Sequence, residues 1–489
     1  MTKVKIDEWV NQMDGLPTEA RIQADIERTA GGIARFYGFE RFFPAGLEAV
    51  SSFSPLVRAG LLEERPPVVC KTRSGEEFLL SPSGALGAVR AYFSHKMHDL
   101  PHPVKIFYSG RSFSMRFGPE VFPDGGPVAG RNEWGAVMLG EESPIADAQI
   151  AQVLLRTAVE LGINGNAVEL RLNAIGCSQC RGSFRSALTG YFRSRLGRLC
   201  PVSKRDLKRA PTRILSCPEE RCAQASGSAP QVLDFLCERC KKQLRGLLEF
   251  LDEARIAYFL DTRLFREGSW FTEIVFELLH NRSGVSSEAG LASEELNPAL
   301  DRGAVYPAVK TDTGGIATPQ QDRGAFKSGV KPAGEKAGKE PGSRDSKLVL
   351  AEGGRLSQAA RILGGKDLHV ASGVLLFDAV AAVIREKEAG GSGDTEVFFV
   401  QLGELAKRKS FGILEALREG GIEAKESLGR DSIKVQLKIA ERLRVRWALI
   451  LGQKEALDGT VIVREVESGI QETIPQDKLI DFLKRKLKK

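Results

Sequence analysis

The sequence predicts an α+β fold: an antiparallel-sheet core, interrupted by a small cysteine-rich basic module and followed by a C-terminal α/β domain. Three observations predict it. Short apolar strand runs bounded by turn residues alternate with helical periodicity over the first 170 residues. Seven of the eight cysteines fall between positions 177 and 240. The last stretch, 394–489, alternates strand and helix in turn.

The elements follow in order. Residues 19–38 carry apolar residues at helical spacing and end on a glycine. FERFF, VVCKT and EEFLLSP predict short strands, and 84–97 a helix. KIFYSG and GAVMLG are apolar runs suited to a sheet, and Ala146–Gly162 is a strong helix. After the cysteine-rich segment a helix is expected over 242–255, then strands around IAYFLDTRLF and WFTEIVFELL. The stretch 281–346 is rich in Gly, Ser, Pro, Lys and Ala without periodicity and is expected to be a linker. AARILGG and GVLLFDAVAAVIRE predict a strand or turn running into a helix. The organisation is therefore 1–170 core, 171–245 cysteine-rich insertion, 246–280 core return, 281–346 linker, 347–389 core, and 394–489 the last domain, with GGSG at 390–393 as a hinge. That run is no phosphate loop, because no Lys-Ser/Thr follows it.

Charge is concentrated. Net charge is +7, yet Arg171–Arg245 holds 16 Lys/Arg against 5 Asp/Glu, so the remainder is acidic. Such a dense local surplus predicts a phosphate-binding surface built from Arg181, Arg185, Lys204, Arg205, Lys208, Arg209, Lys241 and Lys242. No apolar run reaches the roughly 20 residues that span a bilayer. The N-terminus also lacks the apolar region of a secretory signal, so a cytoplasmic location and no membrane partner are expected.

In that setting the cysteines predict metal rather than disulfides. Cys177/Cys180 and Cys237/Cys240 are C-x2-C pairs whose thiolates suit one tetrahedral structural zinc. Cys200, Cys217 and Cys222 are candidates for a second ion, with Ser203 where a second C-x2-C would close. Cys70 has no partner spacing. The five histidines, His95, His98, His102, His280 and His369, form no acid–base cluster.

These segments, in this order, resemble the histidyl-tRNA synthetase family over nearly the whole chain. VFFVQLGELA, SIKVQLKIAERLRVRWALILG and GTVIVREVESGIQETIP are similar to that family's anticodon-binding domain. LRLNAIGCSQC, RILSCPEERC and VLDFLCERCKKQLRGLLEFLDEARIAYFLDTRLFR resemble its insertion domain and the return to the core. ESPIADAQ is similar to the segment after the second class II signature. The long 281–346 stretch replaces a short connection and is not explained by the resemblance. The resemblance implies a class II synthetase-like core with a six-stranded antiparallel sheet, a homodimer, an insertion domain on the acceptor arm, and a reaction of histidine, ATP and tRNA.

The family's working residues do not carry over. Adenylate formation needs cations on the phosphates, where negative charge builds in the transition state. In KIFYSGRSFSMRFGP the signature Arg position is Ser114, the neighbouring Glu position is Arg116 and the next Arg is Phe117. Arg111 and Arg116 are the nearby ATP-binding candidates, though Arg111 has the wrong spacing for the same strand face. The motif-three Arg position is Ala379, beside Asp378, while Gly353-Gly354-Arg355 survives. The Arg-Pro-Glu-Gly-Thr run that reads the substrate ammonium is Ser81-Pro82-Ser83-Gly84-Ala85, and a second acidic position is Val137. The imidazole-facing Tyr-Tyr becomes Ser269-Trp270-Phe271. Arg266 matches the family's extra catalytic Arg and is the one clear survivor. The resulting expectation is a synthetase-like protein that binds tRNA or another RNA with amino-acid activation lost, so that ATP and magnesium matter only if it is active. The alternatives are an active divergent histidine–tRNA ligase, or a regulatory subunit with a protein partner, as in the ATP-phosphoribosyltransferase regulatory subunit.

Overall fold

The computed structural model describes residues 14–115, 128–266, 268–281, 347–388, 397–427 and 432–487. The expected linker from 282 onward, the hinge at 390–393, Arg116 and Phe117 lie outside the described residues. The chain forms two compact units, Met1–Ile384 and Arg385–Lys489.

The first unit opens with α1 (Pro17–Phe36), which buries Ile22, Ile26, Ala30 and Ile33 at three- and four-residue spacing. Proline at its first position costs no hydrogen bond there, and the Glu19 carboxylate accepts from the Leu16 N–H at 3.0 Å. There follow β1 (Glu40–Arg41), β2 (Leu47–Ala49), α2 (Val50–Arg58), β3 (Val69–Lys71), β4 (Glu77–Leu80), α3 (Gly84–Ser94), β5 (Val104–Met115), β6 (Val128–Leu139), α4 (Ile145–Glu160) and β7 (Val168–Gly176). The cysteine-rich region contributes α5 (Ser178–Arg193), α6 (Pro201–Arg209), α7 (Glu220–Ser226) and α8 (Glu238–Glu253). The unit closes with β8 (Tyr258–Leu260), β9 (Thr272–Asn281), β10 (Lys347–Arg355), α9 (Ser357–Gly364), β11 (Val370–Leu376) and α10 (Phe377–Glu388), whose last turn crosses the boundary at Ile384.

Eight of these strands form one sheet in the order β1-β5-β6-β11-β10-β9-β7-β8. The inner six pair antiparallel throughout, and each edge adds one short parallel strand. Strands β2, β4 and β3 make a separate small sheet. Because side chains alternate across a strand, β5 and β6 feed two layers. Phe107, Trp134, Ala136 and Met138 pack with α1 and α4, whereas Ile106, Tyr108, Val137 and Leu139 pack with Ala85, Leu86 and Val89 of α3.

Two elements differ from the sequence reading. AARILGG is helical: α9 buries Ala359 and Ala360 and stops at Gly365, whose φ of 65° few other residues adopt. Strand β10 has no counterpart among the expected elements, since its apolar run adjoins the Gly/Ser-rich stretch. In addition, α8 starts at 238 rather than 242, so Cys237 caps its N-terminus.

The second unit carries β12 (Val397–Gln401), α11 (Glu404–Glu419), β13 (Ala424–Glu426), α12 (Ile433–Arg442), β14 (Trp447–Leu451), α13 (Gln453–Asp458), β15 (Thr460–Glu465), β16 (Gln471–Pro475) and α14 (Leu479–Leu487). Its sheet runs β13-β12-β14-β15-β16, with the first three strands parallel and the rest antiparallel. VFFVQ and WALIL are apolar on both faces because both faces are covered. Phe399 and Leu449 pack with α11 and α14; Phe398 and Ile450 pack with α12. No helix among the described residues is long and apolar enough to cross a membrane.

Candidate functional site

Alternation along β6 turns Arg131, Glu133, Gly135 and Val137 toward the α3 layer. Glu133 is buried and saturated with donors. Its Oε1 accepts from the Tyr108 hydroxyl at 3.0 Å, the Gly84 N–H at 3.1 Å and the Ser83 hydroxyl at 3.5 Å. Its Oε2 accepts from the Ser112 hydroxyl at 2.9 Å. Burial, then the Glu133 charge, push the Tyr108 phenol well above its usual range, so it stays a donor. The Tyr108 ring lies between two glycines: a Cβ on Gly84 would stand 2.2 Å from it and one on Gly135 2.5 Å. Ala85, Val137, Trp270 and Phe271 belong to the same apolar cluster as Tyr108. Of the positions at which the resemblance places substrate contacts, Ser83, Ala85, Val137, Trp270 and Phe271 are buried, and the last four share the apolar cluster of Tyr108.

This packing predicts that Gly135→Ala costs about 1–3 kcal/mol through overpacking. Combining it with Tyr108→Ala should cost less than the two single changes together, as read in a double-mutant cycle of thermal melts. Strict additivity would mean that the two residues do not share the space.

A second constellation surrounds Glu352 at the centre of β10. Arg266 contacts Glu352 and Glu64 at 2.6 Å each and Glu277 at 3.2 Å. Arg131 reaches Glu352 at 3.0 Å and Glu133 at 3.7 Å, and Arg65 also pairs with Glu352. Burial opposes ionisation of Glu352, but the guanidiniums of Arg266, Arg65 and Arg131 outweigh it and hold the carboxyl well below the usual range. Burial likewise opposes the Arg266 charge, and the Glu352, Glu64 and Glu277 carboxylates outweigh it, raising its pKa. Three guanidiniums therefore face four carboxylates.

The other expected positions fall as follows. Ser83 is buried and caps α3, accepting from the Ala85 N–H at 3.2 Å. Ser114 lies near the end of β5 on the same face as Tyr108, in register with Ala129. Arg111 lies out of phase with Ser114, on the opposite face of β5, as its spacing implied; it is exposed and donates to Asn132 at 2.8 Å. Ala379 is half-buried on α10 and packs against the other layer, not this one. Arg355 is buried and fully engaged, donating to Asp147 at 2.8 and 3.0 Å and to the carbonyls of Glu141 and Ser143 at 2.6 Å each. Ser269 is buried, its hydroxyl accepting from the Phe271 N–H at 3.3 Å.

The cysteines gather as two clusters. Sγ atoms of Cys177, Cys180, Cys237 and Cys240 lie within 4.8 Å of one another, and so do those of Cys200, Cys217 and Cys222. In the first cluster Cys177–Cys180 is 3.5 Å and Cys180–Cys240 is 4.0 Å. Backbone N–H groups of Cys177 and Cys237 donate to the sulfurs of Cys240 and Cys180 at 3.3 and 3.1 Å. Burial works against a thiolate at Cys177, but donors from Cys180 and Gln179 outweigh it and bring its pKa down to about 7. Four converging sulfurs with N–H donors suit a soft tetrahedral cation.

Helices α5 and α6 wall a cleft of about 1300 Å³ against the Ala59–Glu63 segment and against Arg266, Gly268 and Ser269. Arg181, Arg185, Lys204, Arg205, Lys208 and Arg209 line it together with Arg213 and Arg266, against the acids Glu63 and Asp206. Lys241 and Lys242 are exposed on α8, outside this lining, and Lys241 pairs with Glu238 at 3.1 Å.

Comparison with known proteins places this arrangement. A model described as the anticodon binding domain matches residues 396–486. The chain is 27% identical to the histidine–tRNA ligase of Syntrophotalea carbinolica over 462 residues, 94% of each chain. It is 29% identical to that of Symbiobacterium thermophilum over 466 residues, 94% of this chain and 93% of that protein. The chain belongs to the histidyl-tRNA synthetase family. Its fold is that of the apo histidyl-tRNA synthetase of S. aureus, with a TM-score of 0.63 at 21% identity over 96% of this chain and 97% of that one. An ATP phosphoribosyltransferase regulatory subunit/histidyl-tRNA synthetase from Bacillus halodurans shares the fold at a TM-score of 0.54 and 14% identity, over 90% and 96%.

Residues that sequence reasoning missed are Arg65, Tyr108, Arg131, Glu133 and Glu352. The available signal was the period-two spacing of Arg131, Glu133, Gly135 and Val137, which places all four on one strand face.

Proposed function

We propose that this chain is a histidyl-tRNA synthetase-like RNA-binding protein in which histidine activation has been lost. The observation that carries the reading is the filled site. Tyr108 occupies the space between Gly84 and Gly135, packed in one cluster with Ala85, Val137, Trp270 and Phe271. A class II site also needs cations free to meet a triphosphate. Here Arg266, Arg131 and Arg65 are engaged by carboxylates. An incoming triphosphate would have to break those pairs before it could use these three cations.

The RNA half rests on the basic cleft and the anticodon-type domain. A transfer RNA is the partner that suits both, with the protein acting as a homodimer and the Cys177, Cys180, Cys237 and Cys240 cluster holding a structural zinc. Retention of the anticodon-type domain favours this over a purely regulatory subunit. Filter binding of tRNA should show affinity at low salt that falls steeply as salt rises. No measurable affinity at low salt would refute the RNA half.

A further inference from the structure

We infer that Cys200, Cys217, Cys222 and Ser203 form a second metal site, distinct from the four-cysteine cluster: three thiolates and one hydroxyl around a divalent soft cation such as zinc. Around a zinc ion with bonds of about 2.3 Å to sulfur, tetrahedral corners stand about 3.8 Å apart, and a sulfur–oxygen edge is about 3.5 Å. The Cys200 and Cys217 sulfurs are 3.8 Å apart. The Ser203 hydroxyl lies 3.3 Å from the Cys200 sulfur and 3.4 Å from the Cys222 sulfur. All three sulfurs fall within 4.8 Å of one another. The oxygen therefore occupies the corner that a fourth cysteine would fill.

The surroundings match those of the first cluster. The Cys200 N–H donates to the Cys222 sulfur at 3.2 Å and the Ser203 N–H to the Cys200 sulfur at 3.3 Å. Such donors stabilise thiolates and fix their directions. Cys200 also caps α6, so the positive end of a helix faces the sulfurs. Cys200, Cys222 and Ser203 are buried, which excludes bulk water from three of the four corners. A disulfide is a poor alternative, because 3.8 Å is far from the bonded distance of about 2.05 Å. Loading replaces three thiol protons, released to solvent, with one cation; the hydroxyl contributes a lone pair. With one neutral oxygen in place of a thiolate, this ion should leave before the one held by four sulfurs.

The test uses the full-length protein. Elemental analysis of purified material should give two zinc ions per chain, and a chelator should remove them in two phases. Cobalt reconstitution should likewise proceed in two steps, the later one with the weaker thiolate-to-cobalt charge-transfer band of a three-sulfur site. Cys222→Ser should retain one ion, and Ser203→Cys should retain two, convert the weaker cobalt spectrum to the tetrathiolate type and abolish the fast chelator phase. One ion per chain in both wild type and Ser203→Cys overturns the proposal, as does a cobalt spectrum that Ser203→Cys leaves unchanged. Ser203→Cys keeps the test decisive should Cys222→Ser fail to fold.

Discussion

Glu352→Ala is expected to destabilise the first unit by about 3–5 kcal/mol, because it leaves buried guanidiniums without their shared counter-charge. Glu352 is where Arg65, Arg131 and Arg266 meet. Glu64, Glu133 and Glu277 would still face two of them, which keeps the loss below that of an isolated charge. The pH dependence follows from the direction of the shift. The Glu352 pKa in the folded chain is depressed, so its contribution is complete above the unfolded carboxylate value of about 4.3 and is lost as pH falls below it. Denaturant titrations of wild type and Glu352→Gln between neutral pH and about pH 3 should therefore converge toward the acid end. Curves separated by the same amount at every pH would mean that the Glu352 charge is not what holds the arginines.

Reversing charge on α6, with Lys204, Arg205, Lys208 and Arg209 all changed to Glu, is expected to weaken tRNA binding by at least roughly tenfold near physiological salt. The slope of log affinity against log salt should also flatten by about 1 for each phosphate that the variant no longer neutralises. These four side chains are exposed, so the fold should survive, whereas the buried Ser203 and Leu207 on the same helix carry its packing. The loss should be similar for different RNA sequences, since cations on phosphate position a nucleic acid without reading its bases. Changing Lys241 and Lys242 instead should have little effect, because neither lines the cleft. Equal losses from both sets would assign the binding to overall charge rather than to this surface.

How much of this was legible depended on the range of the interactions. The two C-x2-C pairs and the basic run 171–245 could be read directly, because metal spacing and charge density are local properties. The runs VFFVQ and WALIL announced two-sided burial, and the cleft cations on α5 and α6 followed from composition. The closed site was far less visible. Arg65 and Glu352 stand 287 positions apart, and nothing in either neighbourhood names the other. Sequence comparison identified which charged residues were absent at Ser83, Val137 and Ser114, but could not say what replaced them. Tyr108 fills the space only because Gly84 and Gly135 leave room on two separate elements. Arg266 read as a survivor, yet a matching residue type says nothing of its partners, and three carboxylates meet it here. β10 went unread because its strand signal is diluted by the Gly/Ser-rich stretch before it.

The loss of activation is tested most directly by histidine-dependent ATP–pyrophosphate exchange with purified, zinc-replete, folded protein. The filled site predicts no exchange above that seen without histidine. Exchange that depends on histidine and disappears in Arg266→Ala would contradict it, and would make the chain a divergent histidine–tRNA ligase whose Arg266 leaves its carboxylates to serve the reaction.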